Sequence, residues 1–246
     1  VVDYQRLRMT IKKNHPHLMM MQNDYGTIYS GDVGVKEYHH WQHFENRDGG
    51  AWPAWNIPVA AVFATTWWAA KPDNGQSTVV YSAEDMFRYT VLQAGANTLG
   101  GGMQWAAGPY AGGGWEPGVA DTMTRFAGYL KPIAGSIKGT VASTAFPTQK
   151  GAALKNIGWG VRAVEWGVAT DAPDGSVTWL HILNPPASRQ VRIGMPANGV
   201  RFGKARLLPG GQPVKLDFDN AGYLVSLPDG ANWDKLDTVI RLDVSP

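Results

Sequence analysis

Residues 31–44, GDVGVKEYHHWQHF, hold the densest group of side chains that could bind a metal or move a proton. The polar members are Asp32, Glu37, His39, His40 and His43. His39 and His43 are spaced i, i+4, so on a helix they would share one face and could ligate zinc. However, the order is not H-E-x-x-H, and the glycines before it predict a loop. We therefore expect no metal here and keep a zinc-dependent hydrolase as the weaker alternative.

Glu37 is the candidate catalytic residue of this stretch. It lies in a predicted polar loop, residues 23–50, beside aromatic side chains and histidines. A carboxyl group in such surroundings can have a raised pKa and act as a general acid, the role that glycoside hydrolysis requires. Most single acidic residues in loops are only solvated, so the role of Glu37 is a hypothesis.

Composition and missing motifs exclude several other functions. The chain has 246 residues, no cysteine and a net charge of +2 without a basic stripe, which argues against thiol catalysis, nucleic acid and an anionic membrane. It contains no G-x-S-x-G and no G-x-x-x-x-G-K, so neither a serine nucleophile elbow nor a phosphate cradle is expected. We expect no cofactor. Seven of the eleven tryptophans fall within residues 41–115, a pattern compatible with either a sugar cleft or a core.

The pattern of the first 148 residues predicts parallel β/α units. Helices are predicted at 3–14, 82–95 and 119–137, and buried strands at 18–22 and 57–68, with a glycine-broken strand near 97–109. In a (β/α)8 TIM-like barrel the loops after such strands form the active-site face. A complete barrel needs roughly 200 residues, so residues 1–148 would be its C-terminal half. The other half is expected upstream of Val1 or on another polypeptide.

Residues 149–246 have a different pattern of apolar and polar residues. Seven short segments alternate apolar and polar residues and are separated by turns such as Pro-Asp-Gly and Pro-Gly-Gly. This pattern predicts an antiparallel β-sandwich that follows the partial barrel.

Several motifs, in order along nearly the whole chain, resemble those of the α-L-fucosidases, family 29 of the glycoside hydrolases. HPHLMMMQND resembles that family's apolar strand ending in Asn-Asp, and GDVGVKEYHH resembles its D-F-x-T-x-E-Y loop. The helix from Ser82, then Gly95-Ala96-Asn97 and Gly108-Pro109, follows the family's order. SIKGTVAS resembles its N-G-E-x-I-Y-G-T segment, and the family also has a β-sandwich after the barrel.

The resemblance implies a retaining hydrolase of terminal fucose or a related sugar on glycans, secreted or periplasmic. Glu37 matches the family's acid/base glutamate, and the nucleophilic aspartate would lie upstream of Val1. The residues expected to line the sugar site are Tyr25, His39, His40, Trp41, Trp67 and Trp68. Tyr25 stands where the family has a sugar-binding arginine, and Ala106-Ala107 replaces Asn-Ile. These departures keep a different sugar, or a non-catalytic carbohydrate-binding homologue, as alternatives.

Overall fold

The structure, a computed structural model, describes residues 3–18, 21–23, 33–38, 59–64, 79–96, 103–147 and 165–245. The described helices of the first part begin and end close to the predicted positions. They are α1 (Tyr4–Asn14), α2 (Ala83–Ala96) and α3 (Val119–Leu130), which continues into a 3-10 helix (Lys131–Ser136). In these ranges, no helix is both long and apolar enough to cross a bilayer.

Four short strands of the first part form a parallel sheet. They are β1 (Met21–Asn23), β2 (Val33–Tyr38), β3 (Val59–Val62) and β4 (Met103–Ala106), in spatial order β1-β2-β3-β4. Each neighbouring pair is parallel, and α2 provides the crossover between β3 and β4. Parallel β/α units are therefore confirmed for these strands. Closure of the sheet into a barrel stays a prediction.

The strand β2 corrects the prediction of a continuous loop at residues 23–50. Residues 33–38 pair with β1 on one side and with β3 on the other. Val33 and Val35 alternate with Gly34 and Lys36, a period of two that suits a strand. The prediction was wrong because the glycines were weighted as loop formers, whereas hydrogen bonding to two neighbouring strands decides the backbone here.

The start of α2 follows from its first four residues. Ser82 and Asp85 form a reciprocal cap: the Asp85 amide donates to Ser82 Oγ at 3.0 Å, and Ser82 Oγ donates to Asp85 Oδ2 at 2.7 Å. Acidic residues at this end also stabilise the helix, because their negative charge lies near the positive end of the helix dipole. Apolar side chains on the inner face of α2 are almost fully buried, including Met86, Val91 and Leu92.

The second part is one eight-stranded antiparallel sheet in the order β5-β6-β7-β12-β9-β10-β11-β8. Its strands are β5 (Val141–Ala142), β6 (Gly167–Asp171), β7 (Val177–Ile182), β8 (Gln190–Gly194), β9 (Phe202–Leu208), β10 (Pro213–Asp219), β11 (Gly222–Ser226) and β12 (Thr238–Val244). All seven predicted strands are present. β5 joins the same sheet from residue 141, while the predicted boundary at 148/149 itself stays a prediction.

The antiparallel sheet turns back on itself at β10. Pro213 and Val214 pair with β9, whereas residues 215–219 pair with β11. Residues from both ends of the sheet consequently share one core, for example Leu180 and Ile240 with Val191 and Val225. This packing of two layers around one core is consistent with the predicted sandwich.

Helix α2 packs against both parts of the chain. Its buried residues share a core with Val168, Leu183 and Val239 of the antiparallel part. Gly95 lies so close to Val168 that an added Cβ would be 2.5 Å from the valine Cβ. The parallel region therefore rests on the antiparallel sheet through a close-packed helix.

Candidate functional site

Glu37 lies near the carboxyl end of a central strand of the parallel sheet. It is the last residue but one of β2, and it pairs in register with Ala60 of β3, which pairs with Gln104 of β4. Two strand spacings separate Glu37 from Gln104, which places their backbones about 10 Å apart. In open parallel sheets and barrels, ligands bind beyond the carboxyl ends of the strands. The backbone of Glu37 thus lies at the edge where a catalytic residue is expected.

Residues directly after β3 and before α2 form a tight layer beyond this edge. The Phe63 amide donates to the Ala106 carbonyl at 3.0 Å, and the Val80 amide donates to the Phe63 carbonyl at 2.7 Å. Ala64 forms an antiparallel bridge with Val79. Phe63 and Ala64 are buried, and this hydrogen-bonded layer lies at the carboxyl ends of β3 and β4.

The loop after β4 lies against the same layer. A Cβ at Gly118 would be 3.3 Å from Val79 Cγ2, so the end of the loop contacts the segment before α2. Upstream, the Tyr110 amide donates to the Gly114 carbonyl and the Gly113 amide donates to the Tyr110 carbonyl, both at 2.9 Å. Trp115 follows this turn directly and is 56% exposed. The sequence indicated Trp115 only as one of a group of tryptophans.

The other predicted site residues lie outside the described residues. They are Tyr25, His39, His40, Trp41, Trp67 and Trp68. Their roles, like that of Glu37, stay predictions. In the part of the chain that the structure describes, no group of three or more His, Asp or Glu side chains could hold a metal ion. His39 and His43 fall outside that part.

A buried Ser, His and Asp cluster superficially resembles a hydrolytic triad. His181 Nδ1 is 2.7 Å from Asp237 Oδ2, and both side chains are fully buried. The Ser136 hydroxyl donates to the Ile133 carbonyl at 2.7 Å, and His181 Nε2 faces the Ser136 carbonyl oxygen at 3.4 Å. A triad requires the histidine to contact the serine hydroxyl beside a substrate, and neither condition holds. This cluster joins the 3-10 helix to the antiparallel sheet.

Arg88 of α2 lies close enough to Asp237 to interact with its charge. Its guanidinium donates to the Leu183 carbonyl at 2.7 Å and to the Lys235 carbonyl at 3.2 Å. Burial raises the pKa of Asp237, and the nearby His181 and Arg88 oppose that rise. The sequence did not indicate that Asp237 is the partner of His181, because 56 residues separate the two.

Comparison with known proteins identifies the fold. No protein-family model matches the sequence, and no curated protein matches it significantly. Solved structures of α-L-fucosidases match almost the whole chain. α-L-Fucosidase isoenzyme 1 from Paenibacillus thiaminolyticus matches 99% of this chain with 21% identity and a TM-score of 0.65. A family 29 α-L-fucosidase from Bacteroides thetaiotaomicron matches 98% with 18% identity and a TM-score of 0.68. The Thermotoga maritima α-fucosidase matches 96% with 13% identity and a TM-score of 0.60.

The chain spans about half the length of these structures: 54% of the Paenibacillus chain, 51% of the Bacteroides chain and 48% of the Thermotoga chain. The resemblance predicted from the sequence motifs is therefore confirmed as a likeness of fold. At these identities, the likeness concerns the arrangement of strands and helices, and function has to be argued from the residues.

Proposed function

We propose that this chain is part of a retaining glycoside hydrolase of the α-L-fucosidase type, which removes terminal fucose or a related sugar from glycans. The observation that carries the proposal is the position of Glu37 near the carboxyl end of β2, within a fold that α-L-fucosidases share along 98–99% of this chain. The rest of the barrel, with the nucleophilic aspartate, would come from a segment outside this chain. The chain's length relative to those structures supports this part of the proposal.

In this mechanism Glu37 acts twice. It first protonates the oxygen of the leaving group while the aspartate attacks the anomeric carbon, and a covalent glycosyl-enzyme forms. The resulting Glu37 carboxylate then takes a proton from water, which attacks the anomeric carbon and releases the sugar. A Bacteroides thetaiotaomicron family 29 fucosidase solved as a trapped covalent intermediate supports such a route for that fold. Retention requires the two carboxyl groups to lie about 5 Å apart.

The proposed sugar site combines Glu37 with polar and aromatic residues that follow β1, β2 and β3 in the sequence. These are Tyr25, His39, His40, Trp41, Trp67 and Trp68. Their positions in the chain support the proposal, because loops that follow parallel strands converge at one end of a barrel. We propose no metal and no cofactor for the reaction, since acid/base and nucleophilic carboxylates suffice. A secreted or periplasmic location belongs to the same proposal.

The test is the variant Glu37→Gln in the full-length protein that contains this chain. Loss of a general acid lowers turnover by about 10²- to 10⁴-fold. The loss of glycosylation rate should be largest for a fucosylated oligosaccharide, whose sugar leaving group needs protonation. It should be smaller for an aryl α-L-fucoside whose phenol leaves as an anion. Glu165→Gln is the matched control, because Glu165 is an exposed glutamate that lies just before β6 of the antiparallel sheet.

Equal rates for Glu37→Gln and wild type with both substrates would refute the assignment of Glu37. Binding of the oligosaccharide by the wild type without release of free sugar would favour the carbohydrate-binding homologue. The sequence feature that motivates this alternative is Tyr25, in the position of a sugar-binding arginine.

A further inference from the structure

We propose that Trp115 stacks on a second sugar ring of the substrate, on the leaving-group side of the bond that is cut. This inference rests on the proposed function, because it extends the same site. It assigns a binding role to the loop after β4, for which the sequence motifs implied none. The ligand class is a glycan of at least two sugars.

The first argument is the exposure of Trp115. Its residue surface is 56% exposed, compared with 40% for Phe218, the other strongly exposed aromatic residue in the described ranges. The ring of Phe218 is covered by the Arg201 guanidinium, 3.8 Å from the ring centroid, and contacts Tyr223. An indole face that is open to solvent lacks the favourable free energy of burial. A ligand that covers this face gains that free energy.

The second argument is that the loop is held in shape before any ligand binds. Two hydrogen bonds between Tyr110 and residues 113–114 close the turn. Gly113 and Gly114 have φ values of 87° and 81°, which other residues rarely adopt. Directly after Trp115, Glu116 is buried, with 3% of its surface exposed. An indole on a preorganised loop loses little conformational entropy on binding.

The third argument is the position of the loop relative to Glu37. The closed turn brings residue 114 back to Tyr110, which is four residues beyond the end of β4 and thus no more than about 14 Å from it. The loop also contacts the segment before α2 through Gly118 and Val79. Trp115 therefore follows the carboxyl end of β4, at the same edge of the sheet as Glu37 and two strands away from β2, which carries Glu37.

The fourth argument is the chemistry around the indole. Gly112, Gly113 and Gly114 are exposed, and a Cβ on any of them would meet no described atom within 4 Å. This side of the loop is open and presents peptide groups rather than apolar side chains. A sugar ring combines an apolar face, which stacks on indole, with hydroxyl groups that peptide groups can bind.

The experiment compares two substrates in the full-length protein: a fucosylated oligosaccharide and α-L-fucosyl fluoride, which has no leaving-group ring. For Trp115→Ala we expect kcat/KM on the oligosaccharide to fall about 5- to 10-fold, the size of one lost aromatic contact. The fluoride rate should change less than about 2-fold, because no ring contacts Trp115 in that reaction. Trp115→Phe should recover most of the loss, and Phe218→Ala, at an exposed aromatic far along the chain, should match the wild type.

Equal losses on both substrates would overturn the role of Trp115, and so would no loss on either. Failure of the proposed function is distinguishable through binding: titration of the oligosaccharide into wild type and Trp115→Ala measures affinity without turnover. Weaker binding by the variant in a protein that hydrolyses neither substrate would support the stacking role while refuting the hydrolase. Equal binding by both proteins, or no binding by the wild type, would refute the stacking role.

Discussion

The parallel and antiparallel sheets differ in where their polar and aromatic side chains lie. In the antiparallel part, Asp171 is buried and accepts hydrogen bonds from the Thr144 amide and the Thr178 hydroxyl, at 2.8 and 2.6 Å. His181 and Asp237 are likewise buried and bonded to each other. In the parallel part, Trp115 is open to solvent at the end of the sheet where Glu37 lies.

This difference assigns stability to the antiparallel part and ligand binding to the ends of the parallel strands. Buried polar groups with internal partners hold neighbouring elements in one arrangement and have no access to a substrate. Groups beyond the ends of parallel strands are free to bind a ligand, because the sheet's own hydrogen bonds do not require them. Helix α2 connects the two, so the antiparallel sheet supports the site without contributing a described residue to it.

The largest expected effect on stability comes from removing His181. In His181→Leu the buried Asp237 loses its partner, and its Oδ1 already has no hydrogen-bond partner among the described residues. Breaking a buried pair in this way costs about 3–5 kcal/mol in the free energy of unfolding. Denaturant unfolding of the full-length protein measures this cost.

The control for His181→Leu is the double variant His181→Leu/Asp237→Leu, which removes both polar groups and should regain most of the loss. A single variant as stable as the wild type would show that the pair does not contribute to the stability of the antiparallel part.

The second effect tests whether the antiparallel core acts on stability alone. Leu180 is fully buried in β7, so Leu180→Ala should lower the free energy of unfolding by about 2–5 kcal/mol through lost contacts and a cavity. The kcat/KM of the remaining folded protein should be unchanged. Leu7→Ala deletes the same atoms at a site that is 43% exposed, so it should change stability by less than about 0.5 kcal/mol. A fall in kcat/KM of folded Leu180→Ala would show that the antiparallel core does not act on stability alone.

The smallest effect concerns a surface contact between α2 and α3 within the parallel region. Glu84 accepts hydrogen bonds from Tyr129 and Arg125 at 2.6 and 2.5 Å. These contacts, the Tyr129 hydrogen bond foremost, lower the pKa of Glu84 below its usual value of 4.5. The stabilisation is therefore complete above pH 4.5 and is lost as the pH falls through the lowered pKa.

Glu84→Gln should consequently be less stable than wild type at pH 7, by no more than about 1 kcal/mol because the contact is partly exposed. The difference should shrink as the pH falls below 4.5, and 1 M salt should reduce it at pH 7. Urea unfolding across this pH range tests the expectation. A difference independent of pH would mean that the charge of Glu84 makes no contribution.

Elements with strong local signals were predictable from the sequence. Ser82 and Asp85 mark the start of α2, and the structure shows their reciprocal cap. The seven predicted strands after residue 160 were found because alternation and turn residues specify strands locally. β2 was missed because Gly34, Lys36 and Glu37 favour a loop locally, while the pairing of the strand depends on β1 and β3.

The candidate site was predictable only in part. Glu37 was selected from residue type and motif order, and the structure adds its register beside Ala60 and Gln104. The exposure of Trp115 and the closed turn before it could not be predicted, because eleven tryptophans share the same residue type. The turn at Tyr110 and the contact of Gly118 with Val79 distinguish Trp115 from the other tryptophans.

The sequence by itself determined the helix ends, the alternation of the antiparallel strands and the identity of Glu37 as the residue to test. The helix ends and the strand alternation depend on neighbours within a few positions, where propensity, capping and periodicity act, whereas Glu37 was selected from its residue type and the order of motifs. The tertiary structure alone decided the pairing of β2, the contact of His181 with Asp237 and the position of Trp115. Those depend on residues distant in the chain, which meet only when burial of the shared core brings the two sheets against α2.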